Sequence, residues 1–128
     1  VLPSLTNPLY SDLSQLATPE FAGAWWLLGI ALLSFTFNYF LGEEFFFRGV
    51  LLPKMKGAFG KWDWVANAVL FGLYHIHWAP RILSLIVETL PGNWLSRRFR
   101  SNWFQIVIHG VEVIIALVTI LAVVLGLM

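Results

Sequence analysis

The sequence predicts an all-α, polytopic transmembrane bundle with about four hydrophobic helices, and three observations lead there. Hydrophobic residues make up 59% of the 128 positions, above ordinary soluble usage. The apolar residues fall in runs long enough to cross a hydrocarbon core of ~30 Å. Six of the eight Lys and Arg are gathered into two short loops between those runs, as positive-inside topology favours.

Residues 1–20 read as a polar lead-in at the membrane surface or in water. They hold three prolines and no Lys or Arg, so they lack the basic start of a signal peptide. A first residue of Val rather than Met leads to the expectation that the chain continues upstream. Residues 21–128 read as the transmembrane domain. Phe21–Leu41 is the first apolar run. Gly42 marks an expected break, and Glu43–Pro53 continues helically into a loop from Pro53 to Lys61.

Trp62–Trp78 is the second hydrophobic helix, with tryptophans at both ends as an interfacial belt would place them. Pro80 ends it. Ile82–Leu95 is weaker, holding Glu88 and an expected break at Pro91-Gly92. Arg97, Arg98 and Arg100 form the second basic loop, and Trp103–Met128 is a long final helix. Both basic loops are expected on the cytoplasmic side, with Asp12 and Glu20 outside and Arg81 alone opposite the loops.

Net charge of +1 gives no case for a nucleic-acid partner, and the absence of cysteine excludes disulfides, thiolate ligands and a Cys nucleophile. The informative feature is Glu43-Glu44-Phe45-Phe46-Phe47-Arg48 inside an apolar stretch. A charge near the bilayer centre costs roughly 2.5–3.5 kcal/mol, so ionisable residues there point to function. At ~1.5 Å of rise per residue, Glu43, His75 and His109 lie about 16, 21 and 14 Å from the basic loops, within one slab of membrane.

Glu44 and Arg48 stand i,i+4, the favourable order for an ion pair, which leaves Glu43 free as a general base. Phe71 shares a helical face with His75 and would hold its ring, with Asn67 one turn earlier. His77, beside Trp78, reads as an interface residue. Gln105, His109, Glu112 and Val113 share a face of the last helix; Glu112 reads as a buried acid seeking His109 or Arg48 as partner. Bland alternatives stand beside each of these: an interfacial charge cluster, a packed histidine, a polar contact between helices.

Taken in order, Glu43-Glu44 with Arg48-Gly49, Phe71 with His75, and Trp103 through His109 resemble the motifs of the CPBP family of CAAX proteases and bacteriocin-processing enzymes, also called Abi proteins. The resemblance covers about residues 38–116. It implies an intramembrane endopeptidase in which Glu43, assisted by His75, activates a water, and His109 helps to stabilise the oxyanion. It implies a membrane-associated protein or peptide as substrate and a site opening toward the cytoplasm of a bacterial or archaeal cell.

The family mechanism requires no cofactor, though Glu43, His75 and His109 also make an alternative zinc ligand set. One departure stands out. The family usually has Asn or Asp four residues after the last His, where this chain has Val113. Either another donor, such as Asn67, takes that role, or activity is reduced. The alternatives are a weak or inactive membrane scaffold or bacteriocin immunity protein, and a fragment of a proton-coupled transporter. Oligomeric state is not legible.

Overall fold

In the computed structural model, residues 13–128 are described; the greater part of the lead-in, with Asp12, lies outside them. Among the described residues the chain is helical throughout, without strands. Two short 3₁₀ turns, Leu13–Leu16 and Pro19–Phe21, precede the first long helix, α1, Trp25–Lys54. The helix α2 is Asp63–Tyr74, α3 is Ile82–Phe99 and α4 is Trp103–Val124.

Two antiparallel pairs make the bundle. The N–H of Gly23, just before α1, donates to Val124 O at the end of α4 (2.7 Å), and Tyr39 in the middle of α1 donates its hydroxyl to Ile106 O (2.7 Å). In the second pair Asp63 at the start of α2 is ion-paired with Arg97 near the end of α3. Gly72 packs so closely on α3 that a Cβ there would collide with Ile86 and lie 3.1 Å from Ile82 O.

Among the described residues only α1 and α4 are long and apolar enough to cross a membrane, and just 11% of each apolar stretch is buried within the protein. That fraction excludes their reading as core helices of a water-soluble domain. Trp25, Ile30, Leu33 and Phe37 on α1, and Val107, Ile114, Ile115 and Val118 on α4, all face outward. The interior holds Glu43, Glu44, Arg48, Asp63, Asn67, His75, Asn93 and Gln105. An apolar outside around a polar inside is the arrangement that lipid as solvent favours. The chain is therefore a membrane protein with two candidate spanning helices among the described residues. The shorter α2 and the less apolar α3 form a hairpin beside them.

Several boundaries differ from expectation: α3 runs on to Phe99, so Arg97 and Arg98 lie in its last turn and not in a loop, and α4 ends at Val124 and not Met128. No break falls at Gly42; instead Phe35–Leu51 is wound as a π-helix, with Leu52 N–H donating to Phe47 O five residues back. The wider winding brings Tyr39, Glu43, Glu44, Phe47 and Arg48 onto one buried face. π-Winding is rare and recurs at functional sites. α2 ends at Tyr74, four residues before Trp78, and the chain passes into a 3₁₀ segment, Ile76–Arg81, with Trp78 out of helical geometry two residues before Pro80.

α3 runs unbroken through Pro91-Gly92. Pro91 is exposed, so its ring and the carbonyl it leaves unpaired do not disturb the packed face. Gly92 is required where it is: a Cβ would run into Gln105 Oε1 of α4.

Candidate active site

The structure brings Glu43, His75 and His109 together from three elements. Glu43 Oε1 lies 3.5 Å from His75 Nε2, and Glu43 Oε2 lies 3.8 Å from His109 Nε2. Glu43 and His75 are nearly buried, while one fifth of the His109 side chain stays accessible. The polar cluster therefore opens on the His109 side.

His75 occupies the C-terminal cap of α2 (φ −87°, ψ 32°), where the chain leaves the helix. Its Nδ1 is 2.9 Å from Phe71 O, and its ring packs on the Phe71 ring at 4.7 Å between centroids. A carbonyl oxygen only accepts, so Nδ1 carries a proton and Nε2 is turned toward Glu43. With the ring neutral, two acceptors would face each other there, at a separation longer than an N–H···O bond.

Glu44, on the same buried face of α1, is fully buried. Its Oε1 accepts from Arg48 Nη1 (3.2 Å) and from His109 Nδ1 (2.8 Å). By the same logic Nδ1 of His109 carries a proton, and Nε2 is turned toward Glu43. The Tyr39 ring stands edge-on to His109 at 4.2 Å between centroids and supports that orientation.

Arg48 holds the cluster to the second helix pair. Its guanidinium lies over the Phe71 ring (4.1 Å to the centroid), and Nε donates to Asn93 Oδ1 (2.8 Å). Asn93 in turn donates to Asn67 Oδ1 (3.1 Å) and Trp64 O (3.2 Å). A continuous line of polar contacts thus runs from His109 through Glu44, Arg48 and Asn93 to Asn67.

Two of the residues singled out in the sequence stand elsewhere. Glu112 is exposed, and among the described residues it makes no ion pair; Glu44 takes both partners, His109 and Arg48, that Glu112 was expected to seek. The reason is geometric, because Glu44 projects into the bundle at the depth of both cations. Asn67 is fully buried and its amide donates to Phe47 O (3.0 Å), with Met55 Sδ at 3.7 Å, so it ties α2 to α1 and is not free to meet an oxyanion. Val113, one turn beyond His109, brings no donor. His77 is exposed beside Trp78.

Sequence reasoning passed over Tyr39 and Asn93. Tyr39 stands four residues before Glu43, a spacing that puts them on one face; nothing local marks Asn93. Among the described residues, no group of three or more His, Asp or Glu side chains is arranged to hold a metal ion.

A buried carboxylate flanked by two oriented imidazoles, within a bundle that faces lipid, is the equipment of a membrane-embedded hydrolase. The family model of the Rce1-like type II CAAX prenyl endopeptidases matches residues 23–115, most of the chain, and the chain belongs to that family. This matches the motif resemblance carried by Glu43, His75 and His109. No curated protein and no solved structure matches the chain.

Proposed function

We propose that the protein is an intramembrane endopeptidase that cleaves a peptide bond of a membrane-associated protein or peptide with a water activated by Glu43. The observation that carries this reading is the double approach of Glu43 to His75 and His109 inside a buried polar cluster. Family membership supports the peptidase class.

The facing acceptors of Glu43 and His75 are satisfied together by one water that donates a proton to each. Its remaining lone pairs point at the substrate carbonyl. Attack forms the new C–O bond as Glu43 takes the water's proton. Charge then develops on the carbonyl oxygen, where protonated His109 donates through Nε2–H while Glu44 compensates its charge. Collapse of the tetrahedral intermediate breaks the C–N bond, and Glu43 returns the proton to the leaving amine. Atoms and protons balance without an external acid.

His109 serves as the oxyanion donor in a chain where Val113 offers none. The site is read as opening toward the cytoplasm, on the side of the basic loops. No metal takes part in the proposed steps. Zinc on Glu43, His75 and His109 is the alternative, and it makes the opposite prediction in the test below.

Glu43→Gln keeps the shape and removes the base. We expect cleavage of a reporter peptide to fall by about 10²–10⁴-fold, the usual worth of a positioned acid–base group, with an unchanged melting temperature. Turnover at the wild-type rate in a folded Glu43→Gln protein rejects the reading. Activity is also expected to survive 1,10-phenanthroline; loss that added zinc restores would replace the metal-free mechanism with a zinc-assisted one.

A further inference from the structure

A cavity of about 790 Å³ lies at the basic end of the bundle, within the size range of small-ligand sites. It is walled by Arg48 of α1, Lys56 of the α1–α2 loop, and Arg97, Arg98 and Arg100 where α3 turns into α4. Asp63 is the one carboxylate in its lining, and it is already paired with Arg97. Among the described residues Lys56, Arg98 and Arg100 make no ion pair, so the cavity carries uncompensated positive charge.

Two buried groups in its wall also lack partners among the described residues. Arg48 and Ser96 are 2% and 4% exposed, and Arg48 Nη2 and Ser96 Oγ have no hydrogen-bond partner. Unsatisfied buried donors beside free cations are the complement of an anion with several acceptor oxygens.

The backbone adds an independent sign. Arg100 is the one non-glycine among the described residues with positive φ (φ 52°, ψ 42°). It caps α3 in the left-handed conformation that glycine ordinarily supplies at that position. Retaining an arginine there carries steric strain and places a guanidinium at the cavity.

Surroundings select the anion. Trp94, Phe99, Trp103 and Phe104 are exposed around the arginine turn, as at a headgroup boundary. Leu52 and Pro53 give the cavity an apolar wall. Guanidinium forks match phosphate oxygens, and basic pockets between membrane helices are suited to anionic headgroups.

We propose that this cavity is a binding site for the phosphodiester headgroup of an anionic phospholipid, held by Arg98, Arg100 and Lys56 with its acyl chains along the exposed aromatics. The site is separate from Glu43, and the inference stands whether or not Glu43 cleaves peptides.

The test is native mass spectrometry of the full-length protein released from detergent in an equimolar mixture of phosphatidylglycerol and phosphatidylcholine. Wild type is expected to retain one phosphatidylglycerol in preference to phosphatidylcholine. In the Arg98→Ala/Arg100→Gly double variant that preference should drop roughly 30-fold, as the loss of two cations at the headgroup level predicts. Arg100→Gly relieves the left-handed strain, so the variant should melt no lower than wild type. Equal retention of the two lipids, or a preference that the variant keeps, overturns the proposal. Full displacement by millimolar inorganic phosphate would assign the cavity to a soluble anion and overturn the lipid. Displacement by a peptide with a free C-terminal carboxylate, but not by its amide, would assign it to the substrate's end and do the same.

Discussion

Glu43 and Glu44 are chemically identical neighbours with different partners, and their surroundings alone separate them. Glu44 is sealed between Arg48 and His109, whereas Glu43 meets two imidazoles at 3.5 and 3.8 Å. Removing Arg48 would leave Glu44 as an uncompensated buried charge. Arg48→Leu is therefore expected to destabilise the protein by about 3–5 kcal/mol in reversible unfolding, and a loss under about 1 kcal/mol would show that the pair is dispensable. His109 acts on a different quantity. If its Nε2–H meets the oxyanion, His109→Ala should lower kcat by about 10²–10³-fold with little change in KM. A rise in KM at constant kcat would make it a residue that binds substrate. At this scale the sequence was informative wherever spacing coincided with helix geometry, as for Glu44 with Arg48. It misjudged Glu112, because helical periodicity gives a face and not which neighbour that face meets.

Among the elements, α3 departs most from its sequence. Pro91-Gly92 reads as a break, yet Ile82–Phe99 is one helix. Its tolerance follows from orientation: Pro91 turns outward, while Gly92 admits Gln105. The two substitutions should move stability in opposite directions. Pro91→Ala supplies a backbone donor to the preceding turn and should raise the melting temperature without altering activity. Gly92→Ala displaces Gln105 and should lower the melting temperature, with a stability loss of about 1–3 kcal/mol, the usual cost of overpacking. A destabilised Pro91→Ala protein would show that the proline has a structural role in the bundle. The π-winding of α1 likewise escaped notice. Hydrophobic spacing of four fits either winding, and only the turn-by-turn hydrogen bonds distinguish them.

For the whole molecule, the decisive contrast is between a lipid-facing exterior and a charged interior. Two helices are long enough to span, and the α2–α3 hairpin carries His75 up to the depth of Glu43 from the basic end. Lys56 and Arg97–Arg100 line one cavity, so both basic loops must lie on the same side of the membrane. Single cysteines placed at Lys56 and at Arg98 should therefore react with a membrane-impermeant maleimide from the same face of sealed vesicles. Labelling from opposite faces would be incompatible with this packing.

Composition and the grouping of charges determined the membrane class, the helical architecture and the three stretches that hold the polar residues, because burial in lipid constrains every exposed side chain. Motif order was enough to point to the family. Helix ends and the partners of each buried acid were decided only by tertiary packing. Those depend on the distance between helices, and glycine contacts such as Gly92 on Gln105 set that distance through atoms remote in the chain.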